Sequence, residues 1–285
     1  MFDSLSPHTI QFKDYSIKGV STAGIGTCVT IPEWKLCFDV AQGLPFAFPM
    51  NYFFISHLHQ DHASGIPYII SQKAMQGHKP PCFFVPPGTS EPLAQIMNIW
   101  SKEEGHAYDF ELKELPVGQR EPVYGNLYVE SFKTKHRVKS QGYVIYQKGK
   151  KLNPKYEGLS ESEILKLKRS GQVVDLEHFA PRVAFTGDTQ IEFLDLSPHI
   201  REVETLIMEI TYIDEKKPVE AARKWGHIHF SEFKPRVSEI KSKNIIWIHL
   251  SARYSRAQAQ ELIDRELSNE KERIHILVKP LAERL

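Results

Sequence analysis

The chain of 285 residues is 41% hydrophobic and 25% charged, an ordinary globular composition able to bury a sizeable core as one large domain or two small halves. No apolar run reaches membrane-spanning length and residues 1–7 lack the basic-then-apolar pattern of a secretory signal, so neither a spanning nor a secreted protein is expected. A formal net charge of +1 at pH 7 argues neither for nor against a nucleic-acid partner, so the distribution of charge must be followed along the chain.

Residues 8–48 read as short strands, at 17–22, 26–31 and 35–40, punctuated by Gly24, Gly26 and Pro32-Glu33. The apolar run Phe53-Phe54-Ile55 reads as a buried strand that stops at His57. Helical spacing follows over 64–76 (Ile66, Ile69, Ile70, Met75) and 91–100 (Leu93, Ile96, Met97, Trp100), with a strand at 82–85 between them. Strands are expected at 110–115, 127–134 and 143–147. The segment 148–179 differs: it is charged, opens with a lysine-rich loop, and holds one helix over 160–169 that Ser160 and Glu163 can cap as a box. It reads as an excursion from the sheet. Strands return at 182–186 and 205–210, helices at 219–225 and 231–240, then a strand at 245–250, a helix at 257–267 and a last strand at 274–278. Strands that are first grouped and then alternate with helices, in both halves, give an α/β (α+β) architecture of two sheets back to back with helices outside, an αββα sandwich. Cys28, Cys37 and Cys82 lack metal-type spacing and sit in apolar strand-like contexts, which predicts buried free thiols in a reducing compartment and a cytoplasmic protein.

The densest chemistry is His57-Leu58-His59-Gln60-Asp61-His62, delivered by the end of a strand. His57 and His59 stand two positions apart and can face the same way. A lone loop histidine is ordinarily just a polar surface group. Three histidines and an aspartate within six positions repel when charged and call for something to neutralise them. Imidazole and carboxylate, without thiolate, form a zinc-type donor set. Three further residues share this placement at a strand end: His136 after 127–134, Asp188 in Gly187-Asp188-Thr189, and His249 after Ile245-Ile246-Trp247-Ile248. Singly each could be a polar turn or a capped strand. Together they suggest two divalent ions, one held by His57, His59 and His136, the other by Asp61, His62 and His249, with Asp188 bridging. Such a pair lowers the pKa of water and clamps both oxygens of an in-line displacement.

The first motif is that of the metallo-β-lactamase superfamily. The whole series of motifs resembles ribonuclease Z (tRNase Z), in its short, plant-type form. The likeness covers nearly the whole chain: His57–His62 with Gly65-Ile66-Pro67, Phe132-Lys133-Thr134-Lys135-His136 with Gln141-Gly142-Tyr143-Val144, Ala184-Phe185-Thr186-Gly187-Asp188-Thr189, Met208-Glu209-Ile210-Thr211, Gly226-His227-Ile228-His229, and His249-Leu250-Ser251-Ala252-Arg253-Tyr254. The resemblance implies a single domain over 1–285 and an endoribonuclease that removes the 3′ trailer of precursor tRNA, leaving a 3′ hydroxyl on the tRNA. It implies two metal ions, zinc or alternatively manganese, on the seven residues named. Asp61 would orient or deprotonate the nucleophile. His227, held by Glu209 with Arg253 beside them, would give a proton to the leaving ribose oxygen. His229, in a position usually occupied by a small hydroxyl residue, has no clear role.

The resemblance also makes 148–172 a tRNA-gripping arm, in which Lys148, Lys150, Lys151 and Lys155 would contact phosphates. It implies a homodimer. A departure stands after Phe38-Asp39, where Val40-Ala41-Gln42-Gly43-Leu44-Pro45 replaces the Gly-Glu-Gly-Thr-Gln segment common in the family. The rival activity on the same scaffold is a small-molecule phosphodiesterase. A non-catalytic nucleic-acid binder ranks behind it, because no expected ligand is missing.

Overall fold

The structure, a computed structural model, describes residues 7–277. Residues 1–6 and 278–285 lie outside the described residues, among them Val278, the end of the last expected strand. The chain opens as an antiparallel meander of β1 (His8–Gln11), β2 (Ser16–Thr22), β3 (Gly26–Ile31) and β4 (Leu36–Phe38). Pairing then turns parallel through β5 (Tyr52–Phe54), β6 (Cys82–Val85) and β7 (Glu111–Glu114). Parallel neighbours need long crossovers, which α1 (Gln60–Ala63), α2 (Ile66–Met75) and α3 (Ser90–Glu104) supply.

The second half repeats the plan. Strands β8 (Arg120–Pro122), β9 (Leu127–Lys133), β10 (Gln141–Leu152) and β11 (Asp175–Phe185) are antiparallel, with α4 (Glu161–Arg169) between the last two. Strands β12 (Thr205–Glu209), β13 (Asn244–Ile248) and β14 (Ile274–Ile276) then add in parallel, and α5 (Phe193–Leu196), α6 (Val219–Trp225), α7 (Phe230–Phe233) and α8 (Arg256–Glu266) connect them. Each half is a seven-stranded sheet in sequence order. The sequence carries no readable repeat, so the likeness of the halves lies in topology.

Strand alternation explains how the sheets stack. Phe54, Phe84, Ile246 and Ile248 point into a core between the sheets, where Phe38 stacks on Phe185 at 5.0 Å between ring centroids. Their neighbours Phe53 and Phe83 point outward beneath Ile66, Ile69 and Ile70 of α2 and Leu93 and Met97 of α3. On the other sheet Ile245 and Trp247 point outward beneath Phe230, Phe233, Leu262 and Ile263. Sheets buried on both faces read as continuous apolar runs, and fully burying each large side chain contributes about 1.5–3 kcal/mol. The layers are helix, sheet, sheet, helix.

Two segments differ from the sequence reading. The lysine-rich stretch expected as a loop is strand: β10 and β11 stay paired from Lys148↔Phe179 to Leu152↔Asp175. That ribbon lacks apolar alternation because it has left the sandwich, and backbone pairing holds it together with a few side-chain contacts such as Lys148 with Glu177. At its tip Ser160 and Glu163 form the capping box of α4. The helix expected over 231–240 is instead α7 followed by a 3₁₀ turn (Lys234–Glu239), because Pro235 removes an amide and ends the α-helical ladder. Among the described residues no helix is long and apolar enough to cross a membrane.

Candidate metal centre

Strands β5, β9, β11 and β13 end at Phe54, Lys133, Phe185 and Ile248, all at one rim of the sandwich. The loops directly after them bring together all seven residues that the sequence singled out as ligands. Facing atoms of His57, His59, His136 and Asp188 lie within 4.8 Å of one another, and so do those of Asp61, His62 and His249. Asp188 stands between the two groups: its Oδ1 is 3.4 Å from His62 Nε2, and its Oδ2 is 3.4 Å from His249 Nε2 and 3.8 Å from His57 Nε2.

Hydrogen bonds behind the cluster fix which nitrogen each imidazole offers. Ser56 Oγ donates to Asp39 Oδ2 at 2.8 Å, so it accepts from His57 Nδ1–H at 3.0 Å. His62 Nδ1–H donates to Asp39 Oδ2 at 2.7 Å, and His136 Nδ1–H to the Gly226 carbonyl at 3.0 Å. Thr211 Oγ1 donates to Glu209 Oε2 at 2.5 Å and therefore accepts from His249 Nδ1–H at 3.0 Å. As neutral imidazoles, all four rings would keep their lone pair on Nε2 and turn it inward, the arrangement that typically orients metal-bound histidines. His59 offers Nδ1 instead, 3.0 Å from His57 Nε2 and 3.3 Å from His136 Nε2.

Neutral nitrogens facing one another through lone pairs repel, and burial holds His57, His59 and His136 below the usual imidazole pKa, so protonation does not relieve the contact. Asp188 Oδ1, His62 Nε2 and His249 Nε2 are buried without a hydrogen-bond partner. A cation between these atoms would satisfy the orphans and the converging lone pairs at once. The residues fit a dinuclear site for divalent ions, with five imidazoles and two carboxylates as donors.

Asp61 is half-buried, and Gly24 N–H donates to its Oδ2 at 3.0 Å. Burial alone would raise its pKa, but the neighbouring His249 and His62 rings, each with Nε2 3.6 Å from Oδ2, hold the carboxyl well below the usual range. His227 lies beside the cluster with Nδ1 3.0 Å from Glu209 Oε1. Glu209 is wholly buried and also accepts from Thr189 N–H, Ile228 N–H and Thr211 Oγ1–H. Burial works against a charged His227, yet Glu209 outweighs it and carries the pKa up to about 9.

Arg253 stands on the far side of the Tyr212 ring from His227. It is exposed, bonds Ser251 Oγ at 3.1 Å, and lies over Tyr212, whose ring in turn faces His227. His229 is buried and structural: it caps α7, with Nδ1 accepting from Ser231 N–H and Nε2–H donating to the Asp214 carbonyl. The four arm lysines lie outside the cluster. Lys148 is neutralised by Glu177 at 2.6 Å, Lys150 and Lys151 are exposed on β10, and Lys155 sits in the 3₁₀ turn beyond it, over the Tyr156 ring.

Sequence reading missed Asp39, Ser56, Thr211 and Gly226 as supports of the cluster. Asp39 follows the end of β4 just as Asp188 and His249 follow their strands, and that placement was the available signal. It is held at φ 50°, as His249 is at φ 59°, and Ser21 Oγ accepts the His249 N–H at 2.8 Å. Gly226, at φ 81°, must be glycine on both counts, since a Cβ there would stand 2.7 Å from His136 Nδ1.

No family model matches the chain. In overall fold it is similar to the metallo-β-lactamase fold protein YhfI from Bacillus subtilis (TM-score 0.63, 12% identity, 92% of this chain and 95% of that one). It is likewise similar to human tRNase Z, short form (TM-score 0.60, 16% identity, 92% and 95%). The two sheets, the outer helices and the histidine–aspartate rim define a metallo-β-lactamase-fold protein. Sequence narrows the class. The chain is 34% identical to tRNase Z TRZ1 of Arabidopsis thaliana over 256 residues, which cover 89% of this chain and 91% of that one. The chain belongs to the tRNase Z family.

Proposed function

We propose that the chain is a metal-dependent endoribonuclease that removes the 3′ trailer of precursor tRNA by hydrolysing one phosphodiester. The observation that carries this reading is the placement of the His227–Glu209 pair against a seven-residue donor cluster. His57, His59 and His136 would hold one divalent ion, Asp61, His62 and His249 the other, and Asp188 both. Five imidazoles with two carboxylates favour zinc, with manganese as the alternative. Bound ions supply Lewis acidity, lowering the pKa of water and neutralising phosphate charge.

The chain's own residues account for the protons. Asp61, kept ionised, orients the attacking water and accepts its proton. As the new P–O bond forms, the bond from phosphorus to the ribose 3′ oxygen breaks, and His227 gives that oxygen its proton. Glu209 keeps the imidazole charged and correctly turned across neutral pH. Arg253, exposed on the same rim, meets phosphate. The products are a 3′ hydroxyl on the tRNA and a 5′ phosphate on the trailer.

The ribbon over 148–172 would grip the tRNA away from the cut, with Lys150, Lys151 and Lys155 on phosphates and Lys148 in reserve behind Glu177. The protein would act as a homodimer. Three free buried cysteines support a reducing, cytoplasmic setting. The test is incubation with an end-labelled precursor tRNA, with and without chelator. The expected result is one chelator-sensitive cut leaving a 3′ hydroxyl; hydrolysis of bis(p-nitrophenyl) phosphate with the precursor left whole would instead identify a small-molecule phosphodiesterase.

A further inference from the structure

Trp225 is the last residue of α6, and it is 50% exposed, whereas Trp247 in the core is 1% exposed. Leaving an indole in water forgoes a large hydrophobic gain, so its location matters. The next residue, Gly226, accepts the Nδ1–H of His136, and the one after is His227. The indole therefore stands on the lip of the site, one residue from the carbonyl that holds a cluster histidine and two from the proposed acid. Arg137, directly after His136, lies over the ring with its guanidinium carbon 4.5 Å from the centroid. Its neighbour Lys135 is tied to Glu192, whereas among the described residues Arg137 has no carboxylate partner. An exposed cation–π contact is weak by itself. A rigid aromatic face backed by a free guanidinium is, by contrast, a surface on which an unpaired nucleobase stacks while its phosphate meets the charge.

We propose that Trp225 and Arg137 form the stacking platform for the base of the last retained nucleotide, the one whose 3′ oxygen leaves. This rests on the reading of function given above. The choice of nucleotide follows from His227: the group that protonates the leaving oxygen must lie near that ribose, and Trp225 is two residues away across the same tight turn. Stacking accepts any base, so the platform positions the substrate without reading its sequence.

The test compares wild type, Trp225→Leu and Trp225→Tyr on three precursors: an intact one, one abasic at the last retained nucleotide, and one abasic at the first trailer nucleotide. Metal content and melting temperature report on folding. Trp225→Leu should lower kcat/KM on the intact precursor roughly 5- to 150-fold, the range expected for one stacked base, and Trp225→Tyr should restore most of it. The abasic change at the last retained nucleotide should cost wild type a similar factor and cost Trp225→Leu almost nothing further. If Trp225→Leu responds to that change as strongly as wild type, or shows the coupling only at the trailer nucleotide, the platform is overturned. A wild type that leaves the intact precursor uncut overturns the reading of function on which the platform rests.

Discussion

Asp39 Oδ2 lies 2.7 Å from His62 Nδ1, and neither side chain touches solvent. The same carboxylate accepts Ser56 N–H at 2.7 Å and Ser56 Oγ–H at 2.8 Å, and Ser56 in turn holds His57. One buried aspartate thus orients a histidine in each half of the cluster. Replacing it by Asn exchanges an acceptor for a donor toward a group that must donate. Asp39→Asn should weaken metal binding about 10- to 100-fold, the usual cost of losing such a partner, measured by competition with a chromophoric chelator. Unchanged affinity would remove Asp39 from the account.

His227 is assigned to the leaving group and to no ion. His227→Ala should therefore lower kcat roughly 10²- to 10⁴-fold with metal content intact. Turnover and metal analysis on the same preparation check this. Loss of metal along with activity would show that the residue serves the cluster.

The arm prediction is sharpened by strand geometry. Consecutive residues of β10 point to opposite faces of the ribbon, so Lys150 and Lys151 cannot both face one backbone. Neutralised singly to Gln, one of them should reduce the slope of log K against log salt for tRNA binding by about 0.7–0.9 and the other should leave it unchanged. Filter binding across a salt series gives both slopes. No change in either would separate the arm from tRNA.

Lys73 offers a test of stability far from the chemistry. The residue is 1% exposed, and its ammonium donates to the carbonyls of Phe48 and Met50 at 3.0 and 2.6 Å. Burial lowers its pKa to about 8. Unfolded, the lysine returns to about 10.4 and holds its proton more tightly, so between these values the unfolded chain binds more protons and stability rises with pH. The penalty is fully present below pH 8. Relative to Lys73→Met, wild type should gain on the order of 3 kcal/mol between pH 7.5 and 10.5, read from denaturant unfolding. A constant difference across that range would contradict the assignment.

The cluster was legible because its residues follow strand ends, where one short apolar run both predicts the strand and aims what comes next. Supports were harder to see. Thr211 reaches His249 across 38 positions through a contact made only once β12 and β13 are paired, and Gly226 reaches His136 across 90, from the end of α6 to the loop after β9. The ribbon at Lys148–Leu152 was invisible for another reason: alternation marks a strand only when one of its faces is buried. Arg253, which the resemblance sets beside His227 and Glu209, lies over Tyr212, whose ring faces His227.

Convergence of His57, His59, Asp61, His62, His136, Asp188 and His249 on a pair of cations is the claim beneath the whole mechanism. Anomalous diffraction at the zinc edge, on crystals of protein purified without chelator and soaked in zinc, tests it most directly. The account predicts two peaks per chain, one among His57, His59 and His136 and one among Asp61, His62 and His249, both touching Asp188. A single peak, or none, with these side chains folded as described would contradict it.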